Sequence, residues 1–206
     1  MWPVTEPSKS KPLIRPADPG DAQALSRLVR DLLLYEREIA DSRNFINPWA
    51  ATESEILKQL ASPEMQFFIA EANGNLVGYL RAVIAGREAP KAPGFRKVVE
   101  KLARWFYYKV LGKPRPALTI ESGYIAGVYV VPEMRREGIA RELVEAAENW
   151  FKAVGLGASE LHVLFRNEAG RKLWEELGYQ PLTLGMRKRI GPQPDARLPE
   201  SGNPKP

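Results

Sequence analysis

The amino-acid sequence predicts an α/β fold in which a mixed sheet carries helices on both faces. One observation is a hairpin signal, because two apolar runs flank Asn73-Gly74, a dipeptide typical of a tight turn between antiparallel strands. A second is the alternation of strand-like and amphipathic helical segments over residues 119–190. Hairpins give antiparallel pairs and strand–helix–strand units give parallel ones, so we expect both kinds of pairing in the sheet.

Capping residues locate the helix starts in the first half of the chain. Asp18 and Asp21 are N-cap candidates for a helix with leucines at helical spacing, and Thr52 and Glu55 are spaced as a capping box. The predicted elements are a strand at 13–15 closed by Pro16, a helix from Asp18 or Asp21 through Asp41, a helix from Thr52 to Leu60, and hairpin strands at 66–71 and 76–83.

Glycines mark the helix ends in the second half of the chain. Gly155 and Gly178 each follow an amphipathic segment, the usual position of a glycine that ends a helix. The predicted elements are a strand at 119–131, a helix from about Gly138 to Val154, a strand at 160–164, a helix from Asn167 to Leu177 and a final strand near 183–190.

Composition limits the classes of protein to consider. The 206 residues suit one domain, which we assign to residues 11–191 between two tails, 1–10 and 192–206, predicted to be disordered. The absence of cysteine excludes disulfides and an acyl-cysteine intermediate, and the single histidine, His162, argues against a metal centre, so no metal is predicted. No apolar run reaches the ~18 residues of a membrane span and no signal peptide pattern appears, so we expect a cytoplasmic protein.

A basic, proline-flanked insertion at 85–118 interrupts the alternation of elements. It is predicted to contain a helix from Phe95 to Val110 with an apolar stripe and many lysines and arginines. The simplest interpretation is a cationic, solvated helix face docked on the domain. A lid over an acceptor cleft, a contact for an acidic protein and a membrane-surface helix stay open.

The most informative segment runs from Val128 to Ala140. A buried apolar strand leads into a proline-marked turn and then into a basic loop with Gly138, which opens an amphipathic helix. The free N–H groups and the dipole of a helix start attract anions, and Arg135, Arg136 and Arg141 add charge. The pattern is typical of a pyrophosphate-binding site, although a basic helix start on a solvated face has the same spacing.

Three motifs in order resemble the GNAT (GCN5-related) N-acetyltransferase superfamily. Arg135-x-x-Gly138-x-Ala140 resembles its acyl-CoA loop, the segment from Leu161 through Asn167 to Tyr179 resembles its second signature, and Leu13 to Ala22 is similar to its usual opening. The resemblance implies a mostly antiparallel sheet whose splayed strands hold acyl-CoA. It also implies an N-acetyltransferase that uses acetyl-CoA as cosubstrate.

The resemblance assigns the cofactor site residue by residue. The pantetheine arm would pair with Val128, Tyr129 and Val130, beside a bulge for which Gly127 is a plausible position, and an N–H near Val130 would stabilise the oxyanion. Asn167 would contact the CoA arm, a role compatible with capping a helix, and Trp174 would be a cleft wall or plain helix packing. The loop residues that would hold the pyrophosphate are Arg135, Arg136, Glu137, Gly138, Ile139 and Ala140.

The same resemblance leaves the proton-transfer groups open. Several relatives carry a glutamate where this chain has Tyr124, and here the nearest glutamate, Glu121, lies three positions earlier. His162 occupies the position at which one group of relatives carries a glutamate that acts as the general base. Alternatively, His162 is a satisfied core residue. The tyrosine that serves many relatives as general acid is replaced by Trp174, so Tyr179, Tyr129 or water remain as alternatives.

We therefore expect direct acetyl transfer from acetyl-CoA to a primary amine whose identity the sequence does not give. The alternative is a catalytically silent acyl-CoA-binding module, which the missing tyrosine and strand glutamate would favour. Nucleic-acid binding ranks third, because no recognition motif appears and the basic residues concentrate in the insertion. A homodimer is left open.

Overall fold

The computed structural model describes residues 11–40, 51–86 and 121–186. The predicted insertion helix Phe95–Val110 and both predicted disordered tails lie outside these ranges. The described elements are β1 (Leu13–Pro16), α1 (Ala22–Ala40), α2 (Glu53–Leu60), β2 (Met65–Ala72), β3 (Asn75–Ala85), β4 (Ser122–Val130), α3 (Ile139–Ala153), β5 (Ser159–Leu161) and α4 (Glu168–Glu176).

The strands form one five-stranded sheet in the order β1-β2-β3-β4-β5. The first four strands pair antiparallel and β5 pairs with β4 in parallel, which confirms the mixed, mostly antiparallel sheet. Successive side chains of a strand point to opposite faces, and this divides the core in two. Phe67 and Ile69 of β2 pack with α1 and α2, whereas Phe68 packs in the cluster that includes α3.

Local capping follows the sequence prediction closely. Asn73 and Gly74 both have positive φ, at 53° and 76°, as the tight hairpin turn requires. The Thr52 hydroxyl accepts the N–H of Glu55 at 3.2 Å at the start of α2. Gly155 and Gly178, which follow α3 and α4, have φ of 86° and 90°. The starts and ends of these helices are therefore encoded within a few residues.

A bulge in β4 shapes the site. The β3–β4 register shifts between Arg81↔Gly127 and Ala82↔Ile125, so Ala126 is the extra residue, next to the position expected from the sequence. The Arg81 guanidinium donates to the Ala126 carbonyl at 3.3 Å and to Gln59 Oε1 at 3.1 Å. An extra residue bends its strand away from a neighbour, so the bulge separates the first half of β4, which pairs with both β3 and β5, from the second half, which pairs with β3 alone among the described strands.

The two last predicted strands are only partly correct. β5 ends at Leu161 rather than continuing through 162–164, because β4 reaches its bulge directly after Ile125, the partner of Leu161. Residues 183–186 of the predicted final strand have no strand structure and are exposed, while 187–190 lie outside the described ranges. Alternating Leu182, Leu184 and Met186 match a strand pattern, but a strand also needs a neighbouring edge to pair with.

None of the described helices is long and apolar enough to cross a membrane. Within the described ranges, no group of three or more His, Cys, Asp or Glu side chains is placed to hold a metal ion.

Candidate active site

A cavity of about 450 Å³ lies where the second half of β4, the loop after it and the starts of α3 and α4 meet α1. Basic side chains predominate among its charged lining groups, with Arg135, Arg136, Arg141 and Lys172 against Glu176. The lining also includes Leu32, Tyr35, Val128, Tyr129, Val130, Met134, Gly138, Ile139, Ala140, Asn167, Ala169, Gly170, Leu173 and Trp174. The cavity is therefore both partly apolar and electropositive, which suits an elongated anionic ligand.

The second half of β4 presents to this cavity backbone N–H and C=O groups that are not bonded to β3. The Val131 N–H donates to the Val77 carbonyl at 2.9 Å, so residue 131, and Tyr129 two positions earlier, bond toward β3. By the same alternation, the N–H and C=O groups of Val128 and Val130 point away from β3. The parallel pairing of β5 stops at Ile125, so no strand in the described ranges covers that side. An extended ligand chain can pair there as a strand would.

Arg135 covers part of this edge. Its Nε donates to the Val130 carbonyl at 3.0 Å, and its guanidinium carbon lies 5.7 Å from the Tyr35 ring centre and 5.6 Å from that of Tyr129. These contacts tie the loop to α1 and β4. The sequence suggested Arg135 only as a loop cation, whereas its guanidinium is held between two rings beside the strand.

The loop from Arg136 to Ala140 has the backbone of an anion site. Gly138 has φ of 82° and Arg136, a non-glycine residue, has φ of 69°, so two residues of one short loop adopt the left-handed conformation. No side chain caps α3 at Gly138, and the N–H groups of its first turn lack acceptors within the helix. Since Gly138, Ile139 and Ala140 line the cavity, these donors and the positive end of the helix dipole lie at its wall.

The opposite wall belongs to α4. The Asn167 side chain accepts the N–H of Gly170 at 2.9 Å, so Asn167 caps this helix and also lines the cavity. Trp174 is 8% exposed, lines the cavity and packs edge-on against Tyr179 with ring centres 5.2 Å apart. Trp174 therefore serves both as cavity wall and as core packing.

Tyr124 and His162, two of the three catalytic candidates, lie against each other. The Tyr124 hydroxyl is 3.0 Å from His162 Nδ1, and the rings meet edge-on with centres 5.6 Å apart. Burial raises the pKa of the Tyr124 hydroxyl above its ordinary value, so it stays protonated at neutral pH. His162 follows the last residue of β5 and is exposed, so it is not a core histidine.

Four predicted site residues do not line the cavity, namely Tyr124 and His162 together with Glu121 and Glu137. Glu121 precedes β4 and is exposed, and Glu137 is an exposed loop residue; neither lines the cavity. Glu137 is exposed, and the neighbouring residues Arg136 and Gly138 line the cavity instead. Glu121 lies before the strand begins, on the far side of the bulge from Val128 and Val130.

Tyr179, one of the alternatives for the general acid, is engaged elsewhere. Its hydroxyl bonds Glu148 Oε1 at 3.0 Å and Ser159 Oγ at 2.8 Å, which links α3 to β5. Burial raises the pKa of Tyr179 to about 12. Tyr179 does not line the cavity, whereas Tyr129 does.

Sequence reasoning missed the contribution of α1 to the cavity. Leu32 and Tyr35 line it, one and two turns along the helix from Leu28, which is buried in the core. Helical spacing puts these residues on the sheet-facing side of α1, but the same spacing is typical of any core helix. Lys172, in the middle of α4, was also missed.

A model of the family described as Acetyltransferase (GNAT) family matches residues 34–179 of this chain. A curated protein, Acetyltransferase ECA0875 of Pectobacterium atrosepticum, is 26% identical over 149 residues, which cover 70% of this chain and 80% of that protein.

Solved structures share the fold at lower identity. A mutant of the BH1408 protein from Bacillus halodurans aligns with a TM-score of 0.65 and 16% identity over 86% of this chain and 99% of its own. Aminoglycoside N-acetyltransferase AAC(6')-Iy in complex with CoA aligns with a TM-score of 0.58 and 17% identity over 90% of this chain and 99% of its own. At these identities the likeness establishes the fold alone.

Proposed function

Because the chain belongs to the GNAT acetyltransferase family and is an acetyl-CoA-dependent acetyltransferase, we propose that it acetylates a primary amine and holds acetyl-CoA along the second half of β4. One observation supports this position for acetyl-CoA: a single cavity joins the uncovered β4 edge to the N-terminus of α3. An acyl-CoA needs both, since its arm is extended and its pyrophosphate is anionic.

The residues present fit such a ligand. The pyrophosphate would rest on the first N–H groups of α3 at Gly138 to Ala140, with Arg136 and Arg141 supplying charge. The arm would pair with the cleft-facing backbone of Val128 and Val130, and Asn167 and Trp174 would close the other side. Acetyl-CoA enters this scheme as a substrate that the protein binds and releases.

The thioester would lie on the uncovered side of β4, in the half of the strand that follows the bulge. The Val130 N–H faces the cleft, while the Val130 carbonyl is already bonded by Arg135. That N–H would donate to the oxygen that becomes negative when the amine nitrogen attacks the carbonyl carbon. As the tetrahedral intermediate collapses, the carbon–sulfur bond breaks and the CoA thiolate leaves with a proton from solvent or from Tyr129.

The proton of the amine would leave through the Tyr124–His162 pair. An alkylammonium has a pKa near ~10 and must lose a proton before its nitrogen can attack. His162 is exposed and can pass a proton to water, and the Tyr124 hydroxyl, 3.0 Å from its Nδ1, belongs to the part of β4 that precedes the bulge, next to the part that lines the cleft. Tyr124 would act as a relay and His162 as the terminal acceptor.

Calorimetric titration with acetyl-CoA and with CoA tests this proposal first. Binding of both ligands at one site, followed by CoA release when amines are added, is the expected result. Binding without turnover over a wide panel of amines would instead favour a silent acyl-CoA-binding module. Failure to bind either ligand would refute the placement of the donor.

A further inference from the structure

Glu36 is a half-buried carboxylate on the sheet-facing side of α1, and the mechanism above leaves it unused. It follows Leu32 by four residues and Val29 by seven, the spacing of one helix face. Val29 is buried in the core, and Leu32 Cδ2 lies 3.0 Å from where a side-chain carbon on Gly127 would sit. The face of α1 that carries Glu36 therefore runs directly over the β4 bulge.

The groups around this carboxylate belong to the strands on either side of the bulge. Besides burial, the negative charge of Glu36 contributes to raising the pKa of the Tyr79 and Tyr124 hydroxyls. The positive charge of Arg81 lowers the pKa of both hydroxyls and of Glu36. Burial raises the pKa of Glu36, and Arg81 opposes that shift. Glu36 thus shares one polar region with Tyr124, which in turn contacts His162.

No side chain within the described ranges neutralises Glu36 by direct contact. Arg81, its cationic neighbour, directs its guanidinium to the neutral oxygens of Gln59 and Ala126, and forms no ion pair with Glu36 within 4.0 Å. Charge burial is costly without an oppositely charged partner, and Glu36 has no ion-pair partner among the described residues, so a cation that arrives with a ligand would be stabilised there.

We propose that Glu36 binds the ammonium form of the acceptor amine and holds it over the bulge, next to Tyr124. The inference rests on the proposed function, because the thioester must lie along β4 for this position to be productive. It makes charge the criterion by which the acceptor is selected. Alkylamines, protonated at neutral pH, are then preferred over arylamines, which are neutral there.

The test compares Glu36→Gln with Glu38→Gln, an exposed glutamate on the same helix. The glutamine variant keeps the size of the side chain and removes its charge. With n-butylamine as acceptor we expect KM to rise at least ~10-fold in Glu36→Gln, the worth of a charge-assisted hydrogen bond, and to stay unchanged in Glu38→Gln. With aniline as acceptor the two variants should match the wild type. The melting temperature of each variant establishes that it is folded.

The outcomes separate this inference from the proposed function. Equal KM values for n-butylamine in Glu36→Gln and wild type, with acetyl-CoA affinity intact, overturn the role of Glu36 and leave the function standing. An equal loss with aniline also overturns it, since a neutral amine does not need the charge. If butylamine does not turn over, its binding to the CoA complex of the wild type and of Glu36→Gln is measured by calorimetry. The inference is overturned if butylamine does not bind the wild type, or if it binds Glu36→Gln with the same affinity. Absence of acetyl-CoA binding in the wild type is failure of the function itself.

Discussion

Two glycines at opposite ends of α3 share one backbone conformation but have different surroundings. Gly138 at the start and Gly155 after the end have φ of 82° and 86°, and a side-chain carbon on either would meet nothing within 4 Å. Only Gly138 lines the cavity. A substitution at either position therefore causes a similar backbone strain, while only the one at Gly138 affects the cavity.

Gly138→Glu should weaken CoA binding by at least ~100-fold, because a carboxylate would occupy the anion site at the helix start. Gly155→Glu is the matched control and should leave the affinity unchanged while costing a similar amount of stability. Calorimetry with CoA, together with urea unfolding of both variants, makes the comparison. Wild-type affinity in Gly138→Glu would remove the pyrophosphate from this loop.

The Tyr124–His162 contact predicts a coupled effect on turnover. Tyr124→Phe removes the hydroxyl and His162→Ala removes its partner, and each should lower kcat by ~100-fold or more if proton transfer passes through the pair. The double variant should be little worse than either single one, because two members of one relay fail together. Steady-state kinetics of the wild type, both single variants and the double variant, with saturating acetyl-CoA, completes this double-mutant cycle. Independent, multiplying effects would show that the two residues act separately.

The elements that border the cavity depend on short local contacts. In α4, a side-chain carbon on Gly170 would lie 2.6 Å from Asn167 Nδ2, so the capping side chain fits only because residue 170 is glycine. The same asparagine lines the cavity. The stability of this helix start and the shape of the cavity wall are thus linked through a single residue pair.

Gly170→Ala should push the Asn167 side chain out of its capping position. The expected loss in the free energy of unfolding is about 1 kcal/mol, the usual worth of an N-cap, accompanied by weaker CoA binding. Gly157→Ala, at an exposed position with no atom within 4 Å of the added carbon, is the control and should change neither property. Urea unfolding and calorimetry report the two effects. Unchanged CoA affinity with lost stability would mean that Asn167 is a cap only.

At the scale of the whole molecule, Arg15 joins parts of the chain that are distant in sequence. From β1 it bonds both Asp21 carboxylate oxygens, at 2.8 and 2.9 Å, and Glu71 Oε2 of β2, at 3.0 Å. The hydrogen bond from Arg15 holds the pKa of Asp21 below its ordinary value of 3.8, although burial opposes this shift. Asp21 is 8% exposed and lies just before α1, so the contact fixes that helix against the sheet edge.

Arg15→Met should destabilise the fold by about 2 kcal/mol at neutral pH, because a buried carboxylate loses its charged partner. A carboxyl whose pKa is depressed by folding contributes stability above its unfolded pKa, and this contribution is lost as the pH falls through the folded pKa. The difference between wild type and variant should therefore shrink below about pH 4. Urea unfolding between about pH 7 and about pH 2 measures it.

Lys58→Met is the control for that experiment. It breaks an exposed ion pair with Glu55 at 3.6 Å and should cost less than ~0.5 kcal/mol at any pH. A pH-independent loss in Arg15→Met would mean that packing of the Arg15 stem, rather than the Asp21 contact, stabilises this region.

The sequence alone determined the order of the elements, the helix caps and the loop at Gly138. These features depend on hydrogen bonds between residues a few positions apart, such as Thr52 with Glu55 and Asn167 with Gly170, so the residue types at fixed spacing predict them. The mixed sheet and the family followed from the same order of motifs.

Only the tertiary structure decided where β5 ends, how Arg135 is held between two rings, and which side chains meet over the bulge. Tyr124 and His162 are 38 positions apart, and Glu36 belongs to α1, far from both in sequence. Such contacts depend on how strands diverge and on how a helix crosses them. Helical or strand spacing states which face a residue occupies, but it does not state what lies opposite that face.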